Sequence, residues 1–265
     1  RDRIFAMQNW TSESGMFLGP LLGIMLVAID FMWVGFGAAL LFFSLFLIQW
    51  RFLPELADQE KRNRSEGAFW QHWLDMLQNT AFIKFIAYAC AFHLFFHQLY
   101  LALPNEVETR GLDSRVITWV FMTSSILGIC FQLPISRLVS RTIGSAKAMG
   151  LGLVLMGSSY LLFLPNTTIL PGANFVLYAA VFSVGSMLVL PLLGSYVPKF
   201  CSRSELGSYY GMYSCVGGLA AFIGNVLVGM LLSWSSLPRE LIWIGFAMVG
   251  LIAGYRLYSH VKNIA

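Results

Sequence analysis

Charge is what this chain has least of. Only 11% of its 265 residues are Asp, Glu, Lys or Arg, less than half the roughly 25% of a soluble domain. So few charges cannot cover a protein with polar surface in water. That excludes an ordinary soluble enzyme, a disordered segment and a secreted disulfide scaffold. Cysteine is sparse as well. Cys90, Cys130, Cys201 and Cys215 form no C-x-x-C pair, and three of them fall in apolar stretches, so neither a metal site nor a disulfide framework is expected. No G-x-S-x-G, H-E-x-x-H or phosphate loop is present, and no cofactor is expected. The first residue is Arg1 and no signal pattern precedes the first apolar run. The chain therefore reads as a fragment of something longer.

What is there instead is apolar residues, 57% of the total. A membrane helix needs about 20 of them in a row. Eight such runs are expected: about Phe5 to Ala28, Phe31 to Leu53, Ala81 to Leu103 (closed by Pro104), Val116 to Leu133, Ala146 to Leu164, Ala173 to Val197, Ser208 to Ser233 and Leu241 to Leu257. Asp30 is expected to cap the short loop after the first, with a gating contact as the alternative. The polar stretch from Pro54 to Asn79 includes Phe69, Trp73 and Met76 on one helical face, which suits a helix lying on the membrane or packed on the protein.

Sidedness follows from Lys and Arg. With the amino end inside, the inner segments hold Arg1, Arg3, Arg51, Lys61, Arg62, Arg64, Arg137, Arg141, Lys147, Lys199, Arg203, Arg256 and Lys262. The outer loops hold only Arg110, Arg115 and Arg239, and Lys84 lies toward the inside. One span more or fewer would scramble that split. Both ends of the chain are expected in the cytoplasm, in an inner or plasma membrane.

The spans differ in polarity. The second and eighth are almost wholly apolar, which suits the periphery of a bundle. The first, third, fourth and seventh carry polar faces, and polar groups at membrane depth must face protein or a water-filled cavity. The third holds His93, His97 and Tyr100 on one stripe, and the sixth holds Tyr178, Ser183 and Ser186. These six are the expected cavity residues. The histidine pair has a second reading as metal ligands, but no third ligand is evident. Glu13 is the one acid well inside an expected span. Its burial is costly unless it is paired or protonated, so it is a candidate proton carrier, or else a structural hydrogen-bond partner. Glycines cluster in the first span (Gly15, Gly19-Pro20, Gly23) and the seventh (Gly211, Gly217, Gly218, Gly224, Gly229). Such ladders let helices approach closely. Laying the first span on the seventh puts Gly19 on Gly224, a weak internal repeat. Asn225, which then falls on Pro20, is expected to bond another helix.

These residues resemble the major facilitator superfamily. Gly15-Met-Phe-Leu-Gly19-Pro20-Leu-Leu-Gly23 is similar to the G-x-x-x-G-P-x-x-G signature of the fifth helix in its drug:proton antiporter branch. Arg1-Asp-Arg-Ile-Phe resembles the approach to that helix. Gln98-Leu-Tyr-Leu-Ala-Leu-Pro104 resembles the end of the seventh, and Leu206-Gly207-Ser208-Tyr209-Tyr210-Gly211 the start of the eleventh. In the loop after the eighth helix, Arg137, Arg141 and Lys147 keep the family's basic residues, whereas Ser140 stands in place of its acid and Leu206 in place of a usual arginine.

The resemblance implies an all-α polytopic fold of two six-helix bundles, the first truncated. Residues 1–53 would be the last two helices of the N-terminal bundle, 54–79 a cytoplasmic linker and 80–265 the C-terminal bundle. It implies a monomeric, multidrug-permease-like transporter that exports drugs or amphiphilic small molecules by alternating access. Protons and the lipid bilayer would be its other partners, with no nucleic acid. Gly15, Gly19, Pro20 and Gly23 would gate or pack, and the basic loop residues would belong to the cytoplasmic gate. Two competitors stand: an uptake symporter of the same superfamily, and a self-contained eight-span membrane enzyme or scaffold built on His93 and His97.

Overall fold

A computed structural model describes residues 7, 10, 11, 14, 15, 30–52, 73, 74, 76–164, 171–203 and 205–264. Glu13, Gly19, Pro20, Gly23 and most of the 54–79 stretch lie outside them. Among the described residues seven helices are long and apolar enough to cross a membrane. Their α-helical parts are α1 (Phe31–Phe52), α2 (Thr80–Thr109), α3 (Arg115–Leu138), α4 (Ser145–Ser159, extended by a 3-10 turn to Phe163), α5 (Ala173–Tyr196), α6 (Leu206–Ser233) and α7 (Arg239–Ile264). Helix is the expected state here, because a lipid-embedded backbone must satisfy its N–H and C=O groups within its own segment.

The chain divides into two compact units. One, Gly15–Asp75, contains α1, whose first turn is capped where Asp30 Oδ1 accepts from the Met32 N–H at 2.8 Å. The other comprises Arg1–Ser14 and Met76–Ala265 and contains α2 to α7. Within it the Trp10 indole N–H donates to the Ile129 carbonyl of α3 at 2.9 Å.

The six helices of this second unit run alternately up and down. At one end Asn79, before α2, donates to the Phe200 carbonyl past α5 and to the Tyr209 hydroxyl of α6. At that same end His260 of α7 meets the Ala81 carbonyl at 2.7 Å. At the opposite end Arg239, at the start of α7, reaches the last turns of α2. The bonds thus gather Lys84, Lys199, Arg203 and Lys262 near one end and Arg110, Arg115 and Arg239 near the other.

Two helix ends depart from the sequence expectation. Pro104 does not close α2, which runs on to Thr109, and Pro134 lies inside α3, which runs on to Leu138. A proline removes one backbone bond. In a bundle, neighbouring groups re-satisfy the freed carbonyl and the helix continues. After α3 a wide five-residue turn, Val139–Ile143, leads to Gly144 at φ 77° and ψ 147°, a conformation essentially reserved for glycine.

Packing is set by small residues rather than by water, since lipid tails are as apolar as leucine. Gly157 of α4 and Gly250 of α7 face each other so closely that a Cβ on either would lie 2.7–2.8 Å from the other's Cα. Gly150 and Gly254 repeat the contact one end along, and Gly152 of α4 meets the Gly185 carbonyl of α5. The glycine-rich stretch of α6 behaves otherwise. Only Gly217 and Gly224 meet a neighbour there, the side chains of His93 and Leu94, while Gly211, Gly218 and Gly229 border open space. Two of the glycines expected to allow close approach in that helix thus do so, against α2, and a second ladder, backbone to backbone, joins α4 and α7. Around it Tyr160, Phe163, Tyr178, Phe182, Trp243 and Phe246 form a fully or nearly fully buried aromatic core, with the Tyr160 hydroxyl donating to the Phe95 carbonyl of α2 at 2.7 Å.

Candidate functional site

Helix α2 presents its polar side chains in three directions. The first faces α6. The His93 ring sits 5.6 Å from that of Tyr213, and its Nε2 end abuts Gly217. One turn on, Gln98 is fully buried and its amide donates to Asn225 Oδ1 of α6 at 2.8 Å. This is the interhelical bond expected of Asn225. A buried amide pair of this kind costs the desolvation of the survivor when broken, about 1–3 kcal/mol. Gln98→Leu should therefore lower the unfolding midpoint of the detergent-solubilised protein, and the Gln98→Leu, Asn225→Leu double variant should recover part of the loss. A double variant less stable than Gln98→Leu would show that the two amides do not act as a pair.

The second direction is a more open face. His97 Nδ1 lies 2.9 Å from the His93 carbonyl. A carbonyl only accepts, so Nδ1 carries the hydrogen, and in the neutral ring Nε2 is left as an acceptor. The His97 and Phe96 rings are in edge contact at 6.1 Å; Tyr100, half exposed, lies 6.2 Å from Phe96 and 5.5 Å from Phe121 of α3. The result is an aromatic surface with an imidazole acceptor in it. Of the six cavity residues expected from the sequence, His97 and Tyr100 lie here. Tyr178 is fully buried among Tyr160, Phe163 and Phe182. Ser183 and Ser186 are also buried, with the Ser186 hydroxyl donating to the Ser183 carbonyl at 2.9 Å. His93 is turned into the α2–α6 contact. No group of three or more metal-ligating side chains occurs among the described residues.

The third direction was not legible from the spans. Because α2 continues past Pro104, Glu106 falls inside it and is buried, its side chain only 3% exposed. Arg239 Nη1 donates to its Oε1 at 2.8 Å and Arg110 Nε to its Oε2 at 3.2 Å. Arg239 also donates to Thr109 Oγ1 at 3.1 Å, and Arg110 to the Phe163 carbonyl beyond α4. The Arg110 guanidinium stands 5.2 Å from the centre of the Phe175 ring of α5. One carboxylate thus ties α2, α4, α5 and α7 together at one end of the bundle. The i, i+4 spacing of Glu106 and Arg110 was the available signal; reading Pro104 as a stop placed both in a loop.

Arg137 lies exposed in the last turn of α3, Arg141 is exposed in the turn that follows, and Lys147 is in the first turn of α4. Gly15 is exposed; the remaining motif residues, and Glu13, are not described.

Comparison with known proteins comes on top of this geometry. A family model described as Major Facilitator Superfamily matches residues 99–262. A Mycobacterium tuberculosis protein named as an uncharacterized MFS-type transporter is 28% identical over 263 residues, 94% of this chain and 61% of its own length. The multidrug resistance protein MdtH of Salmonella typhimurium is 22% identical over 272 residues, 99% of this chain and 65% of its own. The MdtH of Aeromonas salmonicida is 23% identical over 228 residues, 85% and 56%. The chain thus spans under two thirds of the length of these relatives.

Proposed function

From the chain's membership of the major facilitator superfamily, we propose that it is the larger part of a secondary transporter that exports amphiphilic small molecules by alternating access, driven by protons. The observation that carries the substrate side is the open face of α2 and α3. Aromatic rings there offer contact area to a greasy ligand and attraction to a cationic one, and His97 Nε2 offers one acceptor to fix its orientation. The relatives named for multidrug resistance support export over uptake. His97 and Tyr100 are the proposed contacts. Tyr178, Ser183 and Ser186 are proposed to shape the face from the interior, and His93 to hold α6 against it. Glu13 is the proposed proton carrier. The basic residues near the Lys84 and Lys262 end support a cytoplasmic location in an inner or plasma membrane for that end and for both termini.

The test uses the whole transporter in proteoliposomes with an imposed proton gradient and ethidium as the probe. Glu13→Gln should abolish gradient-driven ethidium movement while leaving ethidium exchange without a gradient. His97→Ala should raise the half-saturating ethidium concentration by roughly tenfold, the loss of about 1.4 kcal/mol of binding. A cysteine at Tyr100, in a background lacking native cysteines, should be shielded from a thiol reagent by ethidium. Unchanged transport in Glu13→Gln would remove the proton role, and equal labelling with and without ethidium would remove the substrate face.

A further inference from the structure

A second surface of the bundle has no part in that proposal. Helices α6 and α7 follow each other in the chain, yet both pack on α2 rather than on one another. Between them runs an apolar groove, as two cavities of about 720 and 380 Å³ that share Leu94, Gly224, Leu227 and Val249. Its floor is kept low by Ala87, Ala91 and Gly224. Along α7 the lining runs from Leu241 to Arg256, roughly 22 Å at 1.5 Å per residue. That is longer than the hydrocarbon of one leaflet, about 15 Å as half of a 30 Å core.

The groove is apolar throughout, with Cys90 and Phe246 among its aliphatic residues, except at one end, where Arg256 and Tyr88 line it. Arg256 is exposed and, among the described residues, has neither an ion-pair nor a hydrogen-bond partner. Its neighbours one turn away on α7 are Ile252, Ala253, Ser259 and His260, and His260 is engaged with the Ala81 carbonyl. Across from it α2 brings Tyr88 and, a turn earlier, exposed Lys84; Lys262 follows on α7. No described carboxylate faces this mouth. A cation at membrane depth needs a counter-charge, and here the described residues supply only further cations.

We propose that this groove is a binding site for an anionic phospholipid, with one acyl chain laid between α6 and α7 and the head-group phosphate held by the Arg256 guanidinium. Hydrocarbon satisfies the walls, and a phosphate satisfies the fork of Arg256. A net negative lipid is preferred to a zwitterionic one because Lys84 and Lys262 add attraction of about 1 kcal/mol each near the head group. A cationic amphiphile is disfavoured at this mouth, which separates the site from the aromatic face of α2 and α3.

The experiment is lipid retention by the purified transporter, measured by native mass spectrometry after incubation with phosphatidylglycerol or phosphatidylcholine. Phosphatidylglycerol should be retained at least fivefold better. Arg256→Gln should lower its retention by about fivefold, and Arg115→Gln, at the other end of the bundle, should leave it unchanged. Ala220→Phe, which fills the groove, should lower retention of both lipids while the protein stays monodisperse. Equal retention of the two lipids, or full phosphatidylglycerol retention by Arg256→Gln, would overturn the site. Displacement of phosphatidylglycerol by tetraphenylphosphonium in the wild type would also overturn it, by making the groove a portal for cationic substrate.

Discussion

Glu106→Gln is expected to be among the most damaging single changes in the chain. The glutamine keeps the shape of the side chain but leaves two guanidinium groups facing a neutral amide. Removing one partner of a buried ion pair costs about 3–5 kcal/mol. The low end applies here, because the Arg239 side chain stays 34% exposed and that of Arg110 20%, so water screens part of the uncompensated charge. A loss of about 3 kcal/mol should lower by several degrees the temperature at which half of the detergent-solubilised protein leaves the monodisperse peak. Glu108→Gln, on the exposed side of the same turn, is the matched control and should melt with the wild type. Arg239→Gln should fall between the two, since Arg110 still pairs with the carboxylate. A Glu106→Gln variant as stable as Glu108→Gln would mean that the cluster contributes nothing to holding α2 against α4 and α7.

The second large effect is expected at the α4–α7 contact. Gly250→Val places a branched side chain where the neighbours are the Gly157 Cα and the Leu153 carbonyl, 2.8 and 2.9 Å from its Cβ. Both are backbone atoms, so no rotamer change relieves the clash and the helices must separate. Overpacking ordinarily costs about 1–3 kcal/mol. Separation here would also strip contacts from Trp243 and Tyr160, which stack at 6.0 Å across the same interface, so the upper end or more is expected. Membrane-inserted, monodisperse protein should fall severalfold relative to Gly245→Val, a change on the same helix that meets nothing within 4 Å. Equal yields of the two variants would show that the helices do not pack through Gly157 and Gly250.

The two predictions mark where sequence reading stops. Neither Glu106 nor the Gly157–Gly250 pair stood out beforehand. Glu106 was hidden because Pro104 reads as a helix end, and whether a proline ends a helix depends on which neighbours take up the freed carbonyl. The glycine ladder of α6 was legible, and Gly217 and Gly224 do meet α2, but the ladder between α4 and α7 was not. Spacing alone does not say which face meets a partner. His93 and His97 share a stripe by spacing, yet one ring lies against Gly217 and Tyr213 while the other is tied by Nδ1 to a backbone carbonyl. Asn225 was legible, because an amide at membrane depth requires a partner, although only the structure identifies Gln98.

From the sequence alone came the helical class, seven spans now seen in the described residues, the crowding of basic residues toward one side, and the resemblance that the family match then established. Those features are local. A bilayer obliges each segment to satisfy its own backbone and taxes each misplaced charge, so composition and order along the chain suffice to read them. The tertiary structure decided which faces meet: Glu106 between Arg110 and Arg239, Gly157 against Gly250, and α6 apart from α7 with a groove between. In lipid no hydrophobic gain distinguishes one apolar face from another. The choice falls to close fit and polar pairing between residues that lie, like Glu106 and Arg239, more than 100 positions apart in the chain.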